Sequence, residues 1–166
     1  WKFHPERPEG YPDDLMLYRN ETPIQSIIDQ SDLTKDITDE SIRFIKENKD
    51  NQFFLYIAHP QPHVPLFASK DFNGSTGNGL FADVISEIDF SVGRVVEALE
   101  KNNLTENTIV VFTSDNGPWL SYGDHAGSSG IYREGKGTAW EGGQRVPCII
   151  KYPREIKAKT IIDEPV

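Results

Sequence analysis

Residues 109–147 read IVVFTSDNGPWLSYGDHAGSSGIYREGKGTAWEGGQRVP, and the way this stretch begins sets the fold. The apolar run TIVVFTS at 108–114 has the composition of a strand buried on both faces, and it stops on Asp115, Asn116 and Gly117. In open α/β sheets ligands collect beyond the carboxyl ends of strands, which is where Asp115 and Asn116 would sit. Asp-Asn-Gly alone is an ordinary turn signal. Its place after a buried strand adds a second reading, because a carboxylate and an amide carbonyl are hard oxygen donors suited to calcium or magnesium, whereas zinc favours His and Cys. Two donors fall short of the roughly six to eight that calcium takes.

Farther along, Lys136 lies in GIYREGKGT, which nearly matches the phosphate loop G-x-x-x-x-G-K-[ST] from Gly130 onward. Gly137 stands where that motif needs a magnesium-binding Ser or Thr, and the segment follows a polar loop instead of leaving a strand. A nucleotide loop is therefore disfavoured. The flanking glycines still let the lysine approach an anion closely as a point charge.

Working outward, residues 1–20 carry three prolines and little periodicity and read as an irregular surface segment. Residues 22–29 read as a short strand or hairpin arm. Thr38 predicts a helix N-cap, with Asp39 and Glu40 in the first turn and Ile37 stapled to Ile42, the helix running to about Asn48. FFLYIA at 53–58 reads as another strand buried on both faces. Phe81, Val84, Ile85, Ile88, Val92, Val95, Val96 and Leu99 recur at spacings of three and four, predicting a helix over 79–101 closed by Asn102 and Asn103. VPCIIKY at 146–152 is a third, shorter strand. Helices alternating with strands imply an α/β layer with parallel pairing. With no repeat or linker, residues 1–166 read as a single domain.

Seventeen Lys and Arg against 26 Asp and Glu leave a formal charge of −9. That excludes nonspecific nucleic-acid or anionic-membrane binding, both of which reward clustered cations. An anionic substrate would need a local positive site. No run reaches the roughly 18 apolar residues of a membrane helix, and no signal peptide is present. Trp1 is not an initiator, so the chain reads as processed or partial. The single Cys148 cannot form an internal disulfide, and Asn20, Asn73 and Asn103 each open an N-x-S/T sequon.

Other residues carry both a functional and a plain reading. His63, in HPQPHVP, is held among Pro60, Pro62 and Pro65 just past the 53–58 run; an imidazole there can act as general acid or donate to a developing oxyanion, or be a surface histidine. His59 competes with it for that role. Asp124 and His125, in the glycine-rich loop, are a substrate contact or a polar loop tip. Asp13-Asp14 follows Gly-Tyr-Pro rather than an apolar strand and reads as a solvated turn.

Several motifs, in order, resemble the later part of a sulfatase catalytic domain, of the arylsulfatase type within the alkaline phosphatase superfamily. They are YPDDLMLYRN (11–20), YIAHPQPHVPLF (56–67), the helix containing EIDFSVGRVVEAL (87–99), IVVFTSDNGP (109–118) and REGKGTAWEGGQRVP (133–147). The resemblance covers nearly the whole chain. It implies a partial alkaline-phosphatase-like sandwich, a mostly parallel sheet flanked by helices. It also implies that Asp115 and Asn116 are calcium ligands, that Lys136 binds the sulfate ester, that His63 lies beside the leaving-group oxygen, and that His125 is near substrate. Related two-zinc phosphoesterases usually carry His where Asn116 stands, so Asn116 points to one hard cation and to sulfate.

Sulfatases of this type draw a formylglycine from the Cys or Ser of C/S-x-P-x-R and a further Asp-Asp calcium pair from their first strand. Neither is in this chain. Cys148 is followed by Ile149, Ile150 and Lys151 and reads as a small core residue in a strand. The resemblance therefore implies a sulfuric ester hydrolase fragment that is inactive alone, with a sulfated small molecule or glycan as its parent's substrate and an extracytoplasmic location. Self-association through uncovered sheet edges is expected. The alternatives are a non-catalytic binding module that retains the site and a superfamily phosphoesterase.

Overall fold

A computed structural model describes residues 15–27 and 29–164. Strands β1 (Leu15–Arg19) and β2 (Thr22–Ile27) form an antiparallel hairpin with a bulge between Leu17 and Tyr18. Asn20 turns it at φ 56°, a left-handed conformation that Asn tolerates better than most residues. The hairpin corrects the irregular reading of residues 15–20, whose period-2 alternation is hidden because both alternating rows carry apolar residues. Asp13 and Asp14 lie outside the described residues.

Helix α1 (Leu33–Glu47) begins five residues before the predicted cap. Thr38 is fully buried in its second turn, its Oγ1 donating to Thr34 O at 2.6 Å and lying 2.6 Å from Ser91 Oγ on the next helix. A cap rule is local, and this buried contact between helices overrides it. Helix α2 (Leu80–Lys101) follows the predicted stripe closely. Val84 and Ile88 pack with Leu66 and Ala68, and Ala98 and Leu99 with Ile45, so one helix anchors two apolar clusters. Ile85 alone of the stripe is largely exposed. Arg94 of α2 pairs with Asp39 of α1 at 2.8 Å.

Two acids on the same helix are buried, which apolar periodicity does not reveal. Asp83 accepts from Gly74 N, Thr76 N and Thr76 Oγ1 at 2.8, 3.0 and 2.6 Å, and Glu87 accepts from Ser69 N at 2.9 Å. Hydrogen bonds led by Thr76 hold the Asp83 carboxyl below its ordinary value. These bonds fasten loop 69–79 onto α2 alongside the packing of Phe72 against Phe90, ring centroids 5.5 Å apart.

Beyond α2, β3 (Val110–Thr113) and β4 (Cys148–Lys151) pair antiparallel, Phe112 opposite Ile149. A mixed α/β architecture is thus present, but both ladders among the described residues are antiparallel and two-stranded, not the expected parallel sheet. Residues 53–58 form no ladder among the described residues. Phe53 and Leu55 pack into the Ile45 cluster, while Phe54 and Tyr56 are 88 % and 79 % exposed. Val110 and Phe112 likewise face inward, with Ile109 and Val111 outward. A continuous apolar run signals two apolar faces, and the helices cover only one. The same want of cover leaves Cys148 exposed on β4, contrary to its reading as a core residue.

Candidate functional site

The site grows from the end of β3. Asp115 is exposed and Asn116 half-buried; Asn116 Nδ2 donates to Gly117 O at 3.2 Å, which leaves its Oδ1 as an available acceptor. The chain is then clamped largely by backbone, with Thr138 Oγ1 donating to Gly135 O at 2.8 Å and Gln144 Nε2 to Thr138 O at 2.9 Å. Gly117 N donates to Gly143 O at 3.0 Å, Lys136 N to Pro118 O at 2.8 Å, and Gly142 N to Arg133 O at 2.9 Å. A Cβ on Gly117 would lie 1.8 Å from Gly142 O, and one on Gly142 would lie 2.0 Å from Glu134 O. No side chain fits at either place. Gly117, Gly135, Gly142 and Gly143 therefore lie in a knot of three crossing segments, closed by the single turn α3 (Glu141–Gln144).

Lys136 leaves this knot with its Nζ 5.1 Å from the centroid of the Trp119 ring. None of the ion pairs among the described residues engages it. His63 meets the same indole edge-on, ring centroids 5.7 Å apart at 65°. Its Nδ1 lies 2.7 Å from Val64 O, and a carbonyl only accepts, so Nδ1 carries a proton and Nε2 is the nitrogen left for a ligand. Buried Gln61 holds the loop, its Nε2 donating to Pro65 O at 3.2 Å and its Oε1 accepting from Phe67 N at 3.3 Å. The structure thus brings His63 and Lys136 to one indole, a few residues beyond Asp115 and Asn116.

His59, the competing histidine, is placed differently. Its Nε2 lies 3.4 Å from Ser91 Oγ inside the helix interface, its Nδ1 is buried without a partner among the described residues, and burial pushes its pKa below 6.5. Asp124 and His125 are exposed at the end of a short 3₁₀ stretch, Leu120–His125, and make no hydrogen bond or ion pair with the Trp119 cluster among the described residues. A groove of roughly 470 Å³ between loop 66–79 and α2 contains none of these residues, and its one carboxylate, Asp83, is already committed to three donors.

Trp119 is the residue that sequence reasoning passed over. Its signal was its place directly after Asp-Asn-Gly-Pro, where the chain must turn toward any ligand at the strand end. Among the described residues no group of three or more His, Cys, Asp or Glu comes together as a metal site. The donor chemistry of Asp115 and Asn116 suits a hard cation, but it amounts to part of a coordination shell.

The family model described as Sulfatase matches residues 4–166. Human steryl-sulfatase is 40 % identical over 159 residues, which is 93 % of this chain and 27 % of that protein. An arylsulfatase from Hemicentrotus pulcherrimus is 39 % identical over 140 residues, 84 % of this chain and 25 % of its own length. Among solved structures, the PsFucS1 sulfatase from Pseudoalteromonas sp. superposes with a TM-score of 0.73 at 34 % identity, covering 79 % of this chain and 26 % of that one. The chain spans about a quarter of the length of these relatives. The whole-chain family match, the identities and the shared fold agree: this chain belongs to the sulfatase family.

Proposed function

We propose that this chain supplies the electrostatic part of a sulfate-ester site, within a protein that hydrolyses sulfate monoesters to an alcohol or phenol and sulfate. The observation that carries the reading is the convergence of Lys136 and His63 on Trp119 with Asp115 and Asn116 close by in the chain. Lys136 offers a cation that no carboxylate among the described residues neutralises, and it would bind sulfate oxygens. His63, with its Nδ1 proton committed to Val64 O, would act through Nε2, which in the doubly protonated ring would give its proton to the departing oxygen. Asp115 and Asn116 would give two oxygens to a calcium ion. When bound, calcium would draw charge from the sulfate oxygens, and a formylglycine supplied from outside these 166 residues would be the nucleophile.

The relatives carry the names of steryl-, aryl- and N-acetylgalactosamine-6-sulfatases, which supports an alcohol or glycan sulfate as the substrate class. No helix among the described residues is long and apolar enough to cross a membrane. An extracytoplasmic location and a role for residues 1–166 as one unit of a larger catalytic domain fit the same reading. A contact between His125 and substrate belongs to it as well, through loop 119–130.

Calcium and zinc titrations of the chain, followed by NMR at Asp115 and Asn116, test the metal half. Calcium should perturb these two residues with affinity weaker than micromolar, and zinc should not. Micromolar calcium binding lost in Asp115→Asn would mean the chain holds a complete site, and tight zinc binding at the same residues would favour a phosphoesterase; either result defeats the proposal.

A further inference from the structure

Backbone contacts fix where Lys136 starts, but not where its ammonium ends. A lysine stem loses rotamer freedom when it is held in one place, and something must hold it. A carboxylate is the usual partner, and none among the described residues pairs with Lys136. Its Nζ instead lies over the Trp119 ring, within the roughly 6 Å reach of a cation–π contact. His63 sits edge-on to that same indole at 5.7 Å, and Tyr122 braces it at 4.8 Å and 71°. No hydrogen bond links His63 to Lys136 directly. Trp119 stands between them, and it is still 40 % exposed.

We infer that Trp119 is a positioning residue: its indole aligns the Lys136 ammonium and the His63 imidazole toward one anionic ester without neutralising either. The chemistry explains why an aromatic ring serves where an acid would not. A carboxylate at that place would cancel the lysine's charge and repel an incoming sulfate, whereas a π face attracts the cation and leaves its positive charge available. Pro118 and the glycine knot fix the ring's own backbone, because Pro118 O accepts the Lys136 N–H. The inference rests on the sulfate-site reading.

Phenyl sulfate titrated into the isotope-labelled 166-residue chain tests it, with the His63 ring and Lys136 side-chain NMR signals as readout. The unsubstituted chain should bind with both signals moving together, and Lys136→Ala should abolish binding. Trp119→Leu should weaken binding at least tenfold and uncouple the two signals, while Trp119→Phe, which keeps an aromatic face, should stay within about threefold. Unchanged α2 amide signals certify the fold in each variant. Binding and coupled signals retained in Trp119→Leu, or Phe as damaging as Leu, would overturn the role of Trp119 while leaving the sulfate site standing. Failure of the unsubstituted chain to bind, or equal binding by Lys136→Ala, would instead defeat the sulfate-site reading and this inference with it.

Discussion

His63 and Lys136 reach the same indole from regions built in opposite ways. The helical region, α1 and α2 with loops 53–79, is held by side chains: two apolar clusters, the Thr38–Ser91 contact, and buried Gln61, Asp83 and Glu87 gripping the loop that follows His63. In the strand-and-loop region, residues 109–151, Lys136 is held by glycine backbones packed too closely to admit a Cβ. The contrast teaches that a functional side chain can be fixed by what its neighbours fill or by what they leave out. The two kinds of fixing fail differently when they are mutated.

The largest expected effect lies in the helical region. Ile45→Ala removes a fully buried side chain from the α1–α2 interface and should lower unfolding free energy by about 3 kcal/mol in a urea titration. Gly142→Ala forces a methyl against Glu134 O and should cost about 1–3 kcal/mol, concentrated in the knot. Amide exchange should then quicken at Gly117, Lys136 and Gly142 and stay unchanged in α2. If Gly142→Ala instead lowers protection in α2 as well, the two regions are one cooperative unit and the contrast breaks down.

Gln61→Ala comes next, stripping two hydrogen bonds from the His63 loop at a cost of about 1–2 kcal/mol. It should also weaken phenyl sulfate binding severalfold without altering exchange in the knot, which sharpens the division. The smallest effect is acid sensitivity of the helical region. Burial lowers the His59 pKa from 6.5, so the unfolded chain takes up its proton first; stability from neutral His59 is complete above 6.5 and lost as pH falls through the folded value. Asp83 adds a second step, because its lowered carboxyl gives stability that is full above 3.8 and lost on further acidification. In a pH series of urea titrations His59→Gln should remove the first step only, and an unaltered profile would show that the burial of His59 plays no part.

What could be read from the sequence follows the same division. Helix α2 was readable from its local period and strands β3 and β4 from their short apolar runs, and each is seen within two residues of the expected limits. Asp115, Asn116 and Lys136 could be singled out as candidates because strand ends and glycine-flanked lysines are local signals too. What escaped depends on distant partners. Thr38 gave up its cap for Ser91, 53 residues away, and Asp83 and Glu87 hold loop backbone that no periodicity records. Residues 53–58 and Cys148 were read as buried because apolar runs advertise a need for cover without saying whether this chain meets it. The close packing at Gly142 and Gly143 depends on backbone from separate segments and leaves no local signal. Trp119 matters only once His63 and Lys136 arrive on it from separate loops.

On the proposed reading, the chain holds half of a sulfatase site. The most direct measurement is hydrolysis of 4-nitrophenyl sulfate in calcium, comparing the 166-residue chain with the same chain extended by whatever its gene encodes upstream. The expected result is no turnover by the chain alone and turnover by the extended protein that falls at least ~100-fold in Lys136→Ala, the loss typical of removing one charge-stabilising group. Turnover by the 166-residue chain above its own Lys136→Ala control, or an extended protein indifferent to Lys136→Ala, would contradict it.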